Sequence, residues 1–184
     1  MNLTVIIAST RPGRAGLPIA NWFLERAKKD GRFGVVVADL KEVNLPLLDE
    51  PKHPRFQQYE HEHTKRWSAI VAAADAFVIV TPEYNFSPPP ALVNALDFVF
   101  REWQHKPAAF VSYGGVSGGI RSVQATKLIL TSLKIMPIPE AVTIPFFAKM
   151  MNEGVFAGGE ELGKAVKPML DELHKWAVAL KTLR

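Results

Sequence analysis

Residues Ala76–Asp97, AFVIVTPEYNFSPPPALVNALD, constrain the fold more than any other stretch of the chain. The apolar run Ala76–Val80 shows no polar alternation, the pattern of a strand buried on both faces. It breaks abruptly at Thr81-Pro82. A polar-aromatic loop follows, Glu83-Tyr84-Asn85-Phe86-Ser87, and three prolines then lead into a helical pattern that starts at Ala91. A buried strand that delivers a shaped loop at its C-terminal end is the working part of an open α/β sheet, where ligands bind. The loop carries little acid–base or nucleophilic equipment, but its shape suits a flat ligand.

The rest of the chain alternates in the same way. Leu3–Ala8 is a short apolar strand. Pro18–Lys29 has helical spacing, with Ile19, Trp22 and Phe23 on one side, and Asp30-Gly31 stops it. Val35–Leu40 reads as a second strand, Leu45–Tyr59 as an irregular proline-rich stretch and His61–Ala74 as a helix. Phe77–Thr81 is the third strand and Ala91–Trp103 the helix after it. Pro107–Tyr113 is the fourth strand, and a glycine loop, Gly114–Gly119, leads to a helix that ends near Leu133. Ala141–Ile144 is a short fifth strand. An amphipathic helix over Gly159–Leu183 closes the chain, with Pro168 as a kink or as its true start. Five βα units predict an α/β three-layer sandwich, with helices on both faces of a five-stranded parallel sheet. Right-handed crossovers favour the flavodoxin-like strand order 2-1-3-4-5. Residues 1–184 read as a single domain.

Composition narrows the function. The chain is 48% hydrophobic and 22% charged and has no cysteine, which excludes disulfides, thiolate nucleophiles and cysteine-ligated metals. The N-terminus has no basic region ahead of its short apolar run, and no stretch is long enough to span a membrane, so a cytoplasmic protein is expected. The net charge is +4, but Lys and Arg are scattered and form no basic stripe interleaved with aromatics, so no nucleic-acid partner is expected. His61-Glu62-His63 contains metal-ligand residue types. Helical residues two apart do not share a face, so the two rings are predicted to diverge and no metal site is expected. Ser112 and Ser117 lie outside a GxSxG elbow. No catalytic side chain is assigned.

Three loops carry the chemistry. Ser9-Thr10-Arg11-Pro12-Gly13-Arg14-Ala15-Gly16 joins the first strand to the first helix. Hydroxyls, backbone amides and a helix N-terminus can converge there on a phosphate, with Arg11 and Arg14 adding charge. It is neither a Walker loop nor GxGxxG. In a 2-1-3-4-5 sheet this loop and the Pro82–Ser87 loop meet at the switch point. The third loop, Tyr113–Gly119, lets backbone approach a ligand closely. Tyr113 could cover a ring, and Arg121 could reach a neighbouring carboxylate or the phosphate of a second ligand. Together the loops suit a phosphorylated planar heterocycle.

The segments STRPGR, VTPEYNFSPPPALVNALD and VSYGGVSGGIRS resemble the NADPH-dependent FMN reductase family, which includes quinone, azo-dye and chromate reductases; the match runs from Val5 to about Leu133. The resemblance implies non-covalently bound FMN, NADPH or NADH as donor, and hydride transfer to flavins, quinones, azo compounds or similar small acceptors. It also implies a homodimer or a dimer of dimers. Carried over by position, Ser9, Arg11 and Arg14 fall in the FMN phosphate loop. Pro82, Glu83, Tyr84 and Asn85 fall beside the ribityl chain and isoalloxazine ring, and Tyr113, Gly114 and Gly115 at the pyrimidine edge. Many members have Ser and Asn where this chain has Arg14 and Gly16, and Gly where it has Phe86. Phe86, Trp103 and Leu45–Leu48 are candidate subunit contacts, with membership of the monomer core as the alternative for each. The alternative within the same fold is a flavodoxin-type electron carrier without NAD(P)H activity; such carriers are usually acidic, and this chain is basic. A third reading is a binding module that holds no flavin.

Overall fold

Apolar residues on alternate sides of the same strands are sorted into two separate cores. The computed structural model describes residues 1–184. It contains five parallel strands, β1 (Asn2–Ile7), β2 (Gly34–Asp39), β3 (Ala76–Pro82), β4 (Pro107–Tyr113) and β5 (Met136–Ile144), in the order β2-β1-β3-β4-β5. Every residue of β3 and β4 is buried. Side chains point alternately to the two faces of a strand. Val5, Ile7, Val78 and Val80 therefore pack with Ile19 and Phe23 of α1 (Gly16–Asp30) and Leu170 and Leu173 of α6 (Gly159–Leu180). Ile6, Phe77 and Ile79 face the other way. They meet Trp67 of α3 (Glu62–Ala73), Leu92 and Leu96 of α4 (Pro90–Asp97) and Leu130 of α5 (Ile120–Ser132). This is the flavodoxin-like three-layer sandwich that the strand–helix alternation predicts.

Strand register sets the height of the loops. Ile7 pairs with Val80, Val80 with Val111 and Pro82 with Tyr113. The loops that follow β1, β3 and β4 thus leave the sheet at one edge, side by side.

Several boundaries differ from the sequence reading. The helix after β3 ends at Asp97 instead of Trp103, and Arg101–Trp103 forms a separate 3-10 turn. Trp103 is buried. Its ring packs against Phe77 and Trp67, with centroids 4.9 and 5.9 Å away, and its Nε1 donates to the Leu96 carbonyl at 3.1 Å. It belongs to the monomer core and cannot be a subunit contact. β5 begins at Met136, well before Ala141, although it contains Pro137 and Pro139. Proline removes a ladder donor, and an edge strand tolerates that on its open side. Helix α6 continues through Pro168. A short helix α2 (Leu40–Val43) and a hairpin of β6 (Met151–Asn152) and β7 (Val155–Phe156) have no counterpart in the sequence reading. The His61 and His63 rings stack, 5.2 Å apart, instead of diverging, because His61 is the extended N-cap residue of α3 and not part of the helix. Both turn to Asp49, with His63 Nε2 2.9 Å from its carboxylate. No helix is long and apolar enough to cross a membrane.

Candidate functional site

The first loop leaves the sheet through Ala8, whose amide still donates to the Val80 carbonyl at 3.0 Å. Ser9 then turns inward and is fully buried. Its Oγ accepts a hydrogen bond of 3.2 Å from the Tyr113 hydroxyl at the end of β4. Burial pushes the Tyr113 phenol up to about 12, so it stays protonated and remains a donor. Gly16, the first residue of α1, lies directly over this contact. A Cβ there would overlap Ser9 Oγ and sit 2.7 Å from the Tyr113 hydroxyl.

The two arginines of the loop have different surroundings. Both terminal nitrogens of Arg14 donate to the carboxylate of Asp39 at the end of β2, and Nη1 also donates to the Ser9 carbonyl. The hydrogen bond to Asp39 raises the Arg14 pKa further. The Arg14 side chain is 7% exposed and that of Asp39 12%. Arg14 lies where the sequence places it, but its guanidinium fork is committed to another strand of the protein. Arg11, three residues earlier, is exposed and engages no carboxylate.

The second loop is a tight turn. Tyr84 and Ser87 exchange backbone hydrogen bonds of 2.9 Å. Asn85 and Phe86 between them have φ of 49° and 67°. Consecutive left-handed residues make this a type I′ geometry, which asparagine tolerates and a bulky ring does not favour. Phe86 is 64% exposed. Glu83 points back instead. Its carboxylate accepts from Ser117 Oγ at 2.9 Å, from Arg121 Nε at 2.6 Å and from the Arg121 amide at 3.1 Å. Burial alone would raise the Glu83 pKa; these three donors outweigh it and hold the carboxyl below its ordinary value.

The third loop is pinned to the chain after β5. Gly114 donates to the Ile144 carbonyl at 3.2 Å, and Phe146 donates to the Gly115 carbonyl at 2.9 Å. Gly119 has φ of 85°, and a Cβ there would lie 2.8 Å from the Tyr113 carbonyl. Gly115 differs: a Cβ would meet nothing within 4 Å.

The three loops enclose a cleft of about 320 Å³ at the carboxyl edge of the sheet. Arg11, Arg14, Pro82, Glu83, Tyr84, Tyr113, Gly114 and Gly115 line it. Ser9 supports it from below through Tyr113, and Asn85 sits in the turn beyond Tyr84, outside the lining. The structure adds Gly13, Ala15 and Phe147, whose ring stands edge-on to Tyr113 at 5.2 Å. Phe147 follows β5, so the fifth strand also contributes a loop at this edge. Asp39 and Gly16 shape the cleft without lining it. The position of Asp39 at the end of a predicted strand beside the first loop was the available signal.

The sequence model of the NADPH-dependent FMN reductases matches residues 1–149, which include every one of these loops. The chain belongs to this family. Its relatives include an NAD(P)H-dependent FMN reductase of Schizosaccharomyces pombe, 38% identical over 146 residues that span 78% of this chain and 73% of the relative. An NADPH azoreductase of a Bacillus species is 31% identical over 139 residues, 74% of this chain and 71% of the relative. Among solved structures, the flavoenzyme NAD(P)H:(acceptor) oxidoreductase FerB of Paracoccus denitrificans superposes with a TM-score of 0.76, over 97% of both chains at 23% identity. At that identity the likeness speaks for the fold.

Proposed function

We propose that the cleft binds FMN non-covalently and that the protein is an NAD(P)H-dependent oxidoreductase acting on flavins, quinones, azo compounds or similar small acceptors. Family membership carries the activity class. The observation that carries the assignment to this cleft is the pairing of an uncommitted Arg11 with the open start of α1 on one side, and glycine backbone facing free space at Gly115 on the other. The first amides of a helix have no intrahelical partner and attract anions. Cofactor clefts are typically about 300–1,000 Å³, a range that includes this one.

Bound FMN supplies the two-electron chemistry. The chain's own residues bind, orient and exclude. Arg11 and the amides of the first loop meet the phosphate. Arg14 acts one step away, by tying the loop to Asp39. The Glu83 and Asn85 amides have no partner within the chain and are free for the polar edge of the ring. Gly114 and Gly115 allow backbone to approach it. Tyr113, kept protonated, holds Ser9 and the floor of the cleft. No side chain is set up as a general base, and hydride transfer does not need one.

Residues 1–184 form one functional unit in this reading, working in the cytoplasm as a homodimer or a dimer of dimers. Phe86 and Leu47, 64% and 83% exposed on the segments after β3 and α2, support a subunit contact. Sedimentation at micromolar concentration tests it; a monomer with full activity is the contrary result. The cofactor assignment is tested by releasing bound flavin with heat and identifying it by chromatography, then mixing holoprotein with NADPH without oxygen. FMN and full bleaching are expected. FAD as sole flavin, or a colourless protein that takes up no FMN, refutes the assignment. FMN that NAD(P)H does not reduce points to the electron carrier.

A further inference from the structure

We propose that Arg121 recognises a phosphate of the reduced nicotinamide dinucleotide at the rim of the cleft. The inference rests on the reading that the cleft holds FMN and admits this donor.

Arg121 stands in the first turn of α5 and packs on the loop after β3 through Glu83 and Phe86. It belongs to no part of the first loop, so the FMN phosphate is not its ligand. Two contacts immobilise it. Its Nε donates to Glu83 at 2.6 Å, and its guanidinium carbon lies 3.9 Å from the centroid of the Phe86 ring. The Tyr84–Ser87 turn fixes the backbone that carries the ring. The carboxylate fixes the guanidinium within its plane, and the ring fixes its face.

What these contacts leave unused is the informative part. A guanidinium has five N–H donors, and the bond to Glu83 takes only the one on Nε. Nη1 and Nη2 have no partner in the protein, and the side chain is 43% exposed. Arg14 shows the contrast: there the terminal nitrogens themselves grip Asp39. If Arg121 served only to neutralise Glu83, its fork would be free to close on the carboxylate in the same way. Instead its two terminal nitrogens stay unpaired while the Phe86 ring covers one face of the guanidinium. A planar fork with two free nitrogens matches phosphate oxygens two at a time.

The position indicates whose phosphate. Glu83 lines the cleft, and Arg121, bonded to it, lies outside the lining. A dinucleotide with its nicotinamide in the cleft carries its phosphates outward. Both NADH and NADPH have the diphosphate, and NADPH alone has a 2′-phosphate, so the two donors separate the two sources.

The test uses FMN-loaded wild type, Arg121→Gln and Arg121→Lys. Calorimetry measures binding of ADP-ribose and of 2′-phospho-ADP-ribose, and steady-state kinetics give kcat and KM for NADH and NADPH. Losing a charge-assisted phosphate contact lowers affinity about ten- to a hundredfold. Arg121→Gln is expected to raise KM by that factor with little change in kcat, and Arg121→Lys to recover part of it. An effect confined to NADPH and 2′-phospho-ADP-ribose assigns the 2′-phosphate; an equal effect on both donors assigns the diphosphate. Exposure makes the contact salt-sensitive, so the wild-type KM should rise with ionic strength. Variants that keep FMN and bind both fragments within about twofold of wild type overturn the proposal. If Arg121→Gln loses FMN, Arg121→Lys and the wild-type fragment titrations decide, and a wild type that binds neither fragment is equally fatal. A wild type that binds no FMN or does not oxidise NADPH would instead refute the underlying reading.

Discussion

Arg11 and Arg14 share one loop, and their substitution should produce opposite phenotypes. Asp39→Ala would leave the Arg14 guanidinium, 7% exposed, without its counter-ion. Removing one member of a buried ion pair costs about 3–5 kcal/mol. The bond from Nη1 to the Ser9 carbonyl survives and pulls the figure toward the low end, about 3 kcal/mol. Asp39 also caps α2 by accepting from the Lys41 amide at 3.0 Å. Loss of a cap adds about 1 kcal/mol. A chain of this length shifts its midpoint by about 2–4 °C per kcal/mol, so a fall of about 8–16 °C is expected. The assay is thermal unfolding of apoprotein, paired with FMN affinity from fluorescence quenching. Arg11→Ala should leave the apoprotein midpoint within about 2 °C and weaken FMN about ten- to a hundredfold. Replacing the pair together, Arg14→Met with Asp39→Leu, should recover most of the lost stability, because no buried charge is stranded. The reasoning fails if Asp39→Ala melts like wild type, or if Arg11→Ala is the variant that unfolds.

Three further outcomes are expected. Gly16→Ala forces a methyl into the Ser9–Tyr113 contact, an overpacking cost of about 1–3 kcal/mol, and should weaken FMN as well; a wild-type midpoint and affinity would contradict the geometry. Tyr84→Phe should keep a substantial fraction of turnover, and a stopped-flow loss above about a thousandfold in flavin reduction, roughly 4 kcal/mol, would reveal chemistry at Tyr84 not assigned here. At Glu102, burial raises the carboxyl and the Ser68, Tyr59 and Gln57 donors more than offset it, leaving it below its ordinary value, as at Glu83. A carboxyl depressed in the folded state contributes stability that is fully present above the ordinary carboxylate value and is lost as pH falls through the folded one. Acid titration of the thermal midpoint should therefore show this loss below about pH 4.5, shallower in Glu102→Gln; an unchanged profile in that variant would remove Glu102 from the account.

Much of this was legible in the chain because its signals are local. Unbroken apolar runs mark β3 and β4, and the loops between strand and helix stand out by composition. The misses have physical causes too. Pro137 and Pro139 hide β5, since whether a strand is at an edge is a tertiary fact. Trp103 reads as the last residue of a helix and a candidate contact until α4 ends at Asp97 and the 3-10 turn buries it. His61 reads as helical until its extended backbone makes it a cap. Sequence also shows the charge of Arg14 but not the carboxylate that it grips. Its partner, Asp39, lies at the end of the neighbouring strand, and no periodicity relates them. Phe147 joins the site only because β5 ends level with Tyr113.

The contact of Ser9, Gly16 and Tyr113 has an evolutionary consequence. Three positions, in the first loop, at the start of α1 and at the end of β4, compete for one small volume, so they cannot vary independently. A chain with this backbone that carries any side chain at position 16 must either shorten the residue at 113 or move Ser9 out of the floor. Substitution histories across such chains should show these three positions changing as a set, with Tyr at 113 and a side chain at 16 excluding one another. Arg14 and Asp39 form a second such set, exchanged together or retained together. An engineer who grafts the first loop onto a related scaffold would therefore need to transplant five residues from three elements, not the loop alone.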